Sequence, residues 1–272
     1  MDFIIENIPT ILALMCTGVF AGLLAGLLGV GGGIVIVPVL YFLFQAFGVS
    51  PESAMVIATA TSLATIVPTS VSSIKAHSAK GNVDFSLLKV WGPFILAGVL
   101  VGSWLVTRID GNWLTMLFGV IATLSALNML FGSKKPLVQQ LPGTAGQSVM
   151  ATNVGLFSSL VGIGGGTLTV PILTFCNYPA HKAVGTAAAV GLLISLPAAF
   201  TMLVVGTTPI DAPFGTFGLV NLIGFICIVP LTVLFAPLGA SLANKLDAQK
   251  LKKIFAVVLM ITGVRMLGQL FL

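Results

Sequence analysis

Charge is what this sequence has least of. Only 7% of its 272 residues are Asp, Glu, Lys or Arg, where a soluble domain carries about a quarter. The seven acidic residues all avoid the middle of the apolar stretches, which removes the carboxylate relay common in proton-coupled carriers. There is no Ser/His/Asp set, no paired acids and no His/Cys cluster at metal-ligand spacing. No catalytic residue, metal site or cofactor is therefore expected, and the chain is not read as an enzyme. The three cysteines, Cys16, Cys176 and Cys227, lie in or beside apolar runs, so no disulfide framework is implied. Basic residues before the first apolar run are missing too: Asp2 and Glu6 stand where a signal peptide would be positive, so that run is expected to stay as a membrane segment. The net charge of +5 comes without a basic face or arm, which excludes nucleic acid as the partner.

What is present is apolar surface. The chain is 57% hydrophobic, with a mean hydropathy of +1.13, and it divides into many apolar runs. That is the signature of an all-α integral membrane protein of one domain, with the lipid bilayer as its surroundings. Ten apolar segments are expected: 9–28, 34–48, 53–74, 87–107 and 113–131, then 148–163, 167–177, 183–206, 215–243 and 251–271. A polar link separates five from five, giving repeat one at 9–131, a linker at 132–147 and repeat two at 148–272.

The repeat is visible in the residues. Gly22 to Pro38 (GLLAGLLGVGGGIVIVP) recurs as Gly155 to Pro171 (GLFSSLVGIGGGTLTVP), with nine of 17 positions identical at an offset of 133. Farther on, Gly102, Arg108, Asp110, Leu114, Phe118, Met129 and Leu130 answer Gly239, Lys245, Asp247, Leu251, Phe255, Met266 and Leu267 at an offset of 137. Matching Gly/Pro interruptions in two halves point to the binding site of a transporter built from two repeats. The segments after each glycine cluster are short: 34–48 and 167–177 reach only about 22 and about 16 Å as helix, against a hydrocarbon core of about 30 Å. They are expected to begin inside the membrane as broken or re-entrant helices.

Loop charge sets the orientation. Call the N-terminal side X. Side Y receives Lys75, Lys80, Lys89, Lys134, Lys135, Lys182, Lys245, Lys250, Lys252 and Lys253, while side X receives Arg108 with Asp2, Glu6, Glu52, Asp110 and Asp211. Cytoplasmic loops are rich in Lys and Arg, so Y is cytoplasmic and both termini face out of a cell inner (plasma) membrane. Five segments per repeat make the second copy inverted relative to the first.

A helix that starts after Gly33 or Gly166 presents unpaired N–H groups and the positive end of its dipole, and glycine admits an anion to close range. The candidate substrate-binding residues are Gly31, Gly32, Gly33, Gly164, Gly165, Gly166 and Thr167, with Thr61, Ser62 and Thr186 as further hydroxyls. The structural alternative is a glycine-mediated helix crossing without a ligand. A dinucleotide-binding reading of the first cluster fails, because no strand precedes it and no acid follows about 20 residues on. The third segment carries eight hydroxyl residues around Pro68 (Thr59, Thr61, Ser62, Thr65, Thr69, Ser70, Ser72 and Ser73), and most are expected to bond to their own backbone or a neighbouring helix. Arg265, within the last segment, either attracts an anion or snorkels to the membrane surface. Asp110 and Asp247 sit where helix N-caps belong, and Ser50-Pro51-Glu52 reads as a helix start.

The doubled Gly-[Val/Ile]-Gly-Gly-Gly…Pro at 29–38 and 162–171, Ala58-Thr-Ala-Thr-Ser-Leu63 answered by Ala183-Val-Gly-Thr186, and Lys80-Gly-Asn-Val-Asp84 together resemble the sulfite exporter TauE/SafE family, also called the 4-toluene sulfonate uptake permeases. The resemblance covers nearly the whole chain. It implies a carrier of a sulfur-containing anion such as sulfite, a sulfonate or thiosulfate. Where many members have Gly-Thr-Ser in the second half, this chain has Gly185-Thr186-Ala187. The expectation is a secondary transporter that exports a small sulfur-containing anion by alternating access. An ion-coupled uptake permease for a sulfonate or other organic anion, and an anion channel, are the alternatives. The coupling ion and the state of assembly, monomer or homo-oligomer, stay open at this point.

Overall fold

The computed structural model describes residues 8–28, 32–132, 138–242 and 248–270. These residues form ten helices: α1 (Ile8–Leu28), α2 (Gly33–Ala46), α3 (Pro51–Ser78), α4 (Phe85–Val106), α5 (Gly111–Phe131), α6 (Thr144–Val161), α7 (Gly166–Phe175), α8 (Ala180–Val204), α9 (Leu222–Leu242) and α10 (Ala248–Gly268). A two-residue pair of strands, β1 (Thr216–Phe217) and β2 (Val220–Asn221), precedes α9. Five helices, α3, α4, α5, α8 and α9, are long and apolar enough to cross a membrane.

The helix starts follow local chemistry. Ser50 accepts the Ser53 N–H on its hydroxyl, with Pro51 in the first turn. Asp84 accepts the N–H groups of Ser86 and Leu87, Asp110 accepts that of Asn112, and Asn221 accepts that of Gly224. Asp247 lies outside the described residues. The ninth expected segment, 215–243, is shorter than its apolar run. Gly215 and Gly218 take positive φ, turning the chain into the β1–β2 hairpin, so the helix begins only at Leu222.

Helices from the two halves of the chain pack in pairs: α1 against α9, α4 against α6, α5 against α10 and α3 against α8. Small residues permit the closest of these crossings. A Cβ on Gly26 would lie 1.9 Å from the Ala236 carbonyl, and one on Gly98 would lie 2.1 Å from the Thr152 carbonyl. Backbones can approach this closely only where a side chain is missing. At the centre stands α3, buried along most of its length against α8, α9 and α2.

Two hairpins carry the glycine clusters. Near the start of α1, Ile11 and Leu14 line a common cavity of about 310 Å³ with Phe44 and Phe47 from the end of α2, so α2 returns toward the end where α1 began. With 14 residues it rises about 21 Å, too little to span. In the second half, Val138 N–H donates to the Phe175 carbonyl (3.1 Å), which brings the end of the 10-residue α7 back beside the chain that leads into α6. Each short helix thus runs back toward the end of the molecule where its hairpin began.

The two ends of the molecule differ in charge. Ser50 and Ser53 join Asp211 at one end, where Asn112 Nδ2 also donates to Glu52 Oε1 (2.8 Å). At the other end of α3, Lys80 Nζ donates to the Ala240 carbonyl (2.7 Å) and His77 Nε2 lies 3.2 Å from the Gly26 carbonyl.

Candidate functional site at the two glycine-led helix starts

The hairpin tips meet. A Cβ on Gly33 would lie 2.6 Å from the Gly162 carbonyl and 3.0 Å from Ile163 Cα. Gly162 has φ +73°, and a Cβ there would sit 2.8 Å from Thr59 Cα on α3, so only glycine fits both the turn and the contact. Ser62 Oγ donates to the Gly162 carbonyl at 2.7 Å, pinning the second tip to the middle of α3.

Both helices then start without side-chain caps. In α2, Val35 and Ile36 donate to the Gly32 carbonyl; in α7, Thr167 donates to Gly164 and Thr169 to Gly165. Among the described residues, the N–H groups of Gly33 and Ile34 and those of Gly165, Gly166 and Leu168 find no backbone acceptor. Helix starts normally leave such donors over, but these belong to buried residues, apart from the partly buried Leu168.

The structure brings Gly32, Gly33, Gly164, Gly165, Gly166, Ser62 and Thr167 into this region, all of them buried. Gly31 lies outside the described residues. Thr167 Oγ1 has no partner among the described residues, and neither has Thr169 Oγ1. Thr61 and Thr186 each meet the start of a helix from the other half of the chain. Thr61 Oγ1 accepts the Asn221 N–H at the start of α9, and Thr186 Oγ1 accepts the Asp84 N–H at the start of α4, each at 2.9 Å. Arg265 is exposed on α10, its guanidinium 4.6 Å from the centre of the Phe42 ring. It lines a crevice of about 220 Å³ with Ile34, Pro38 and Thr262, on the outer side of α2.

Sequence reasoning missed two features. One is the pair Gly81…Asp84 and Gly218…Asn221, separated by 137 residues, in which both glycines take positive φ and both Asx residues cap the next helix. The 137-residue offset was the signal that locates it. The other is the set of side-chain ties at the two ends. Asp211 accepts from Ser50 N–H (2.8 Å) and Ser53 Oγ (2.6 Å); the Ser53 and Ser50 hydrogen bonds hold its carboxyl down at about 2. At the other end, the Tyr178 hydroxyl donates to Asp84. That bond pulls the Asp84 carboxyl below its ordinary value, while burial and then the Asp84 carboxylate push the Tyr178 phenol up. No sequence pattern foretells these long-range partners.

Comparison with known proteins places the chain. The family profile described as sulfite exporter TauE/SafE matches residues 14–266. A probable membrane transporter protein of Haemophilus influenzae is 33% identical over 257 residues, covering 94% of this chain and 97% of the relative. A probable membrane transporter protein of Methanocaldococcus jannaschii is 27% identical, covering 93% of this chain and 94% of its own. One from Bacillus subtilis is 26% identical, with 93% and 96% covered. No solved structure matches.

Proposed function

This chain belongs to the sulfite exporter TauE/SafE family of membrane transporters, and from that premise we propose that it carries a small sulfur-containing anion, such as sulfite or a sulfonate, outward across the cell inner membrane by alternating access. The observation that carries this reading is the meeting of the two hairpin tips, where Gly33 at the start of α2 lies beside Gly162 and Ile163, between the end of α6 and the start of α7. An oxyanion needs donors and positive potential without a competing carboxylate, and converging helix N-termini supply both. The substrate site comprises Gly31 to Gly33, Gly164 to Gly166, Thr167 and Ser62, while Thr61 and Thr186 hold the helices around it.

Two inverted repeats underlie the carrier. Exchanging each helix of the first five for its counterpart in the second turns the α1–α9 contact into α6–α4 and the α3–α9 contact into α8–α4, and both members of each exchange occur. The Thr61–Asn221 and Thr186–Asp84 hydrogen bonds obey the same exchange. Such symmetry lets two hairpins trade places between inward and outward exposure around one site. The ties of Asp211 to Ser50 at one end and of Asp84 to Tyr178 at the other join the two halves of the chain.

Export of an anion from an inside-negative cell is downhill by about 2.3 kcal/mol per charge per 100 mV, so no ion partner is required. The lysine-rich end is cytoplasmic and both termini face outward. The test is flux in proteoliposomes of sulfite, methanesulfonate and thiosulfate against phosphate and chloride, with the membrane potential clamped at zero and then made inside-negative. Saturable efflux of a sulfur anion, accelerated by potential and indifferent to sodium and proton gradients, is expected. Flux that demands an ion gradient indicates an uptake permease; non-saturating flux indicates a channel; no sulfur-anion flux overturns the substrate class.

A further inference from the structure

Between α2 and α10 the protein leaves a crevice of about 220 Å³. α10 packs along α5 and touches α2 only slightly, so these two helices are not closed against each other. The walls are apolar: Ile34, Val35 and Val39 on α2, Phe255 and Leu259 on α10. From Phe255 to Arg265 the crevice follows ten residues of α10, about 15 Å of helix. Val258 and Ile261 on its rim are exposed, and in a membrane transporter such a face meets acyl chains. One charge stands at the head of the crevice, and it is Arg265.

The depth of Arg265 follows from the neighbouring helix. α5 and α10 run antiparallel, with Gly119 beside Leu267 and Gly263 beside Thr123; a Cβ on Gly263 would lie 3.1 Å from the Gly119 carbonyl. Gly119 follows the exposed Trp113 by six residues, about 9 Å of helix. Arg265 stands about 3 Å above Gly263, and so about 6 Å beneath the level of Trp113. Tryptophan marks the headgroup zone, so a lipid phosphate lies within reach of the arginine side chain. The guanidinium lies over the Phe42 ring at 4.6 Å, an arrangement that leaves its edge N–H groups able to grip a phosphate bidentately. One turn farther along α10, Gln269 Nε2 donates to Gln45 Oε1 (3.3 Å) and bridges the two helices above the crevice.

Among the described residues no carboxylate pairs with Arg265. Glu52, Asp84, Asp110 and Asp211 are all held elsewhere. The repeat supplies a second argument: at the 137-residue offset Arg265 answers Asn128 on α5, so the shared scaffold stands without a charge at this position. A charge against apolar walls at membrane depth calls for a counter-ion. We infer that the α2–α10 crevice binds one anionic phospholipid from the leaflet on the N-terminal side, with its phosphate on Arg265 and one acyl chain laid along α2 toward Ile34. A basic residue between membrane helices is suited to such a headgroup. An ammonium-bearing headgroup would find no acid among the residues that line the crevice. The lipid stands against the helix that carries the first glycine tip, apart from the substrate site itself.

The experiment is native mass spectrometry of the purified full chain in detergent, titrated with phosphatidylglycerol and with phosphatidylcholine, in the presence and absence of inorganic phosphate. It is repeated on Arg265→Gln, Arg265→Lys and Val39→Phe, the last to fill the crevice, with unfolding curves recorded for each variant. The chain should retain one phosphatidylglycerol, bound at least about tenfold tighter than phosphatidylcholine. Arg265→Gln should weaken it about tenfold, Arg265→Lys by less because the charge remains without the fork, and folded Val39→Phe should lose it. Phosphatidylglycerol bound equally well by Arg265→Gln overturns the site. Phosphatidylcholine bound as tightly overturns the preference for an anionic headgroup. Displacement of the lipid by inorganic phosphate makes the ligand a soluble anion and overturns the lipid. A lipid-free dimer that Arg265→Gln separates overturns it in favour of a second copy of the chain. The anion-carrier reading stands or falls separately, on sulfur-anion flux.

Discussion

Individual side chains divide into those committed to the fold and those left free. Of the eight hydroxyl residues of the third segment, Thr61, Ser62, Thr65, Thr69 and Ser72 are engaged in hydrogen bonds, whereas Thr59, Ser70 and Ser73 have no partner among the described residues. Nothing in the sequence separates these groups, because every face of α3 carries a hydroxyl and the distinction depends on what packs there. The glycines were legible for the opposite reason: duplication at a fixed offset isolates them from the other glycines of the chain. Asp211 illustrates a tie that only folding creates. Its carboxyl ordinarily titrates near 3.8 and is held at about 2 in the folded protein. A depressed folded value stabilises above the unfolded pKa, and the contribution is lost as pH falls through the folded one. Asp211→Asn should therefore lower the unfolding temperature at neutral pH, by an amount equivalent to about 1 kcal/mol or less because the group is solvent-screened. The gap should shrink below a pH of about 4 and close near about 2, as followed by pH-dependent thermal unfolding. A gap that widens on acidification contradicts this assignment.

At the scale of elements, the ten segments were legible because apolar runs and their punctuation follow helix chemistry. Observed bounds differ from expectation by a few residues, as for 53–74 against Pro51–Ser78. The larger error was the start of α9, where Phe217-Gly218-Leu219-Val220 continues the apolar run yet turns as a hairpin. Hydropathy does not register a turn whose flanks are apolar; the positive φ at Gly218 does. Two elements are held from outside themselves: the N–H just before α9 by Thr61 and the N–H at the cap of α4 by Thr186. Replacing either threonine by valine keeps the shape and strands a buried or half-buried N–H, which costs about 1–3 kcal/mol. Unfolding in denaturing detergent should show Thr61→Val and Thr186→Val destabilised by similar amounts. A neutral effect in one of them would break the equivalence of the two halves.

The whole molecule depends on the relation between its halves. Repeat offsets of 133 and 137 residues and the lysine asymmetry of the loops were readable directly, since both survive any uncertainty about where each helix begins. The doubling back of α2 and α7 was not, because a short apolar segment reads the same whether it re-enters or crosses at a slant. Their tips meet in the middle, and that makes a single shared site, reached from one side at a time, the central claim. Its most direct measurement is thiol labelling of Thr59→Cys, beside the Gly162 tip, with Cys16, Cys176 and Cys227 replaced by serine, using a membrane-impermeant reagent applied to right-side-out and inside-out vesicles. Carrier behaviour predicts reaction from the side made accessible by the imposed anion gradient, reversal when the gradient is reversed, and protection by methanesulfonate. Equal labelling from both sides at once, or labelling that methanesulfonate leaves unchanged, would contradict it.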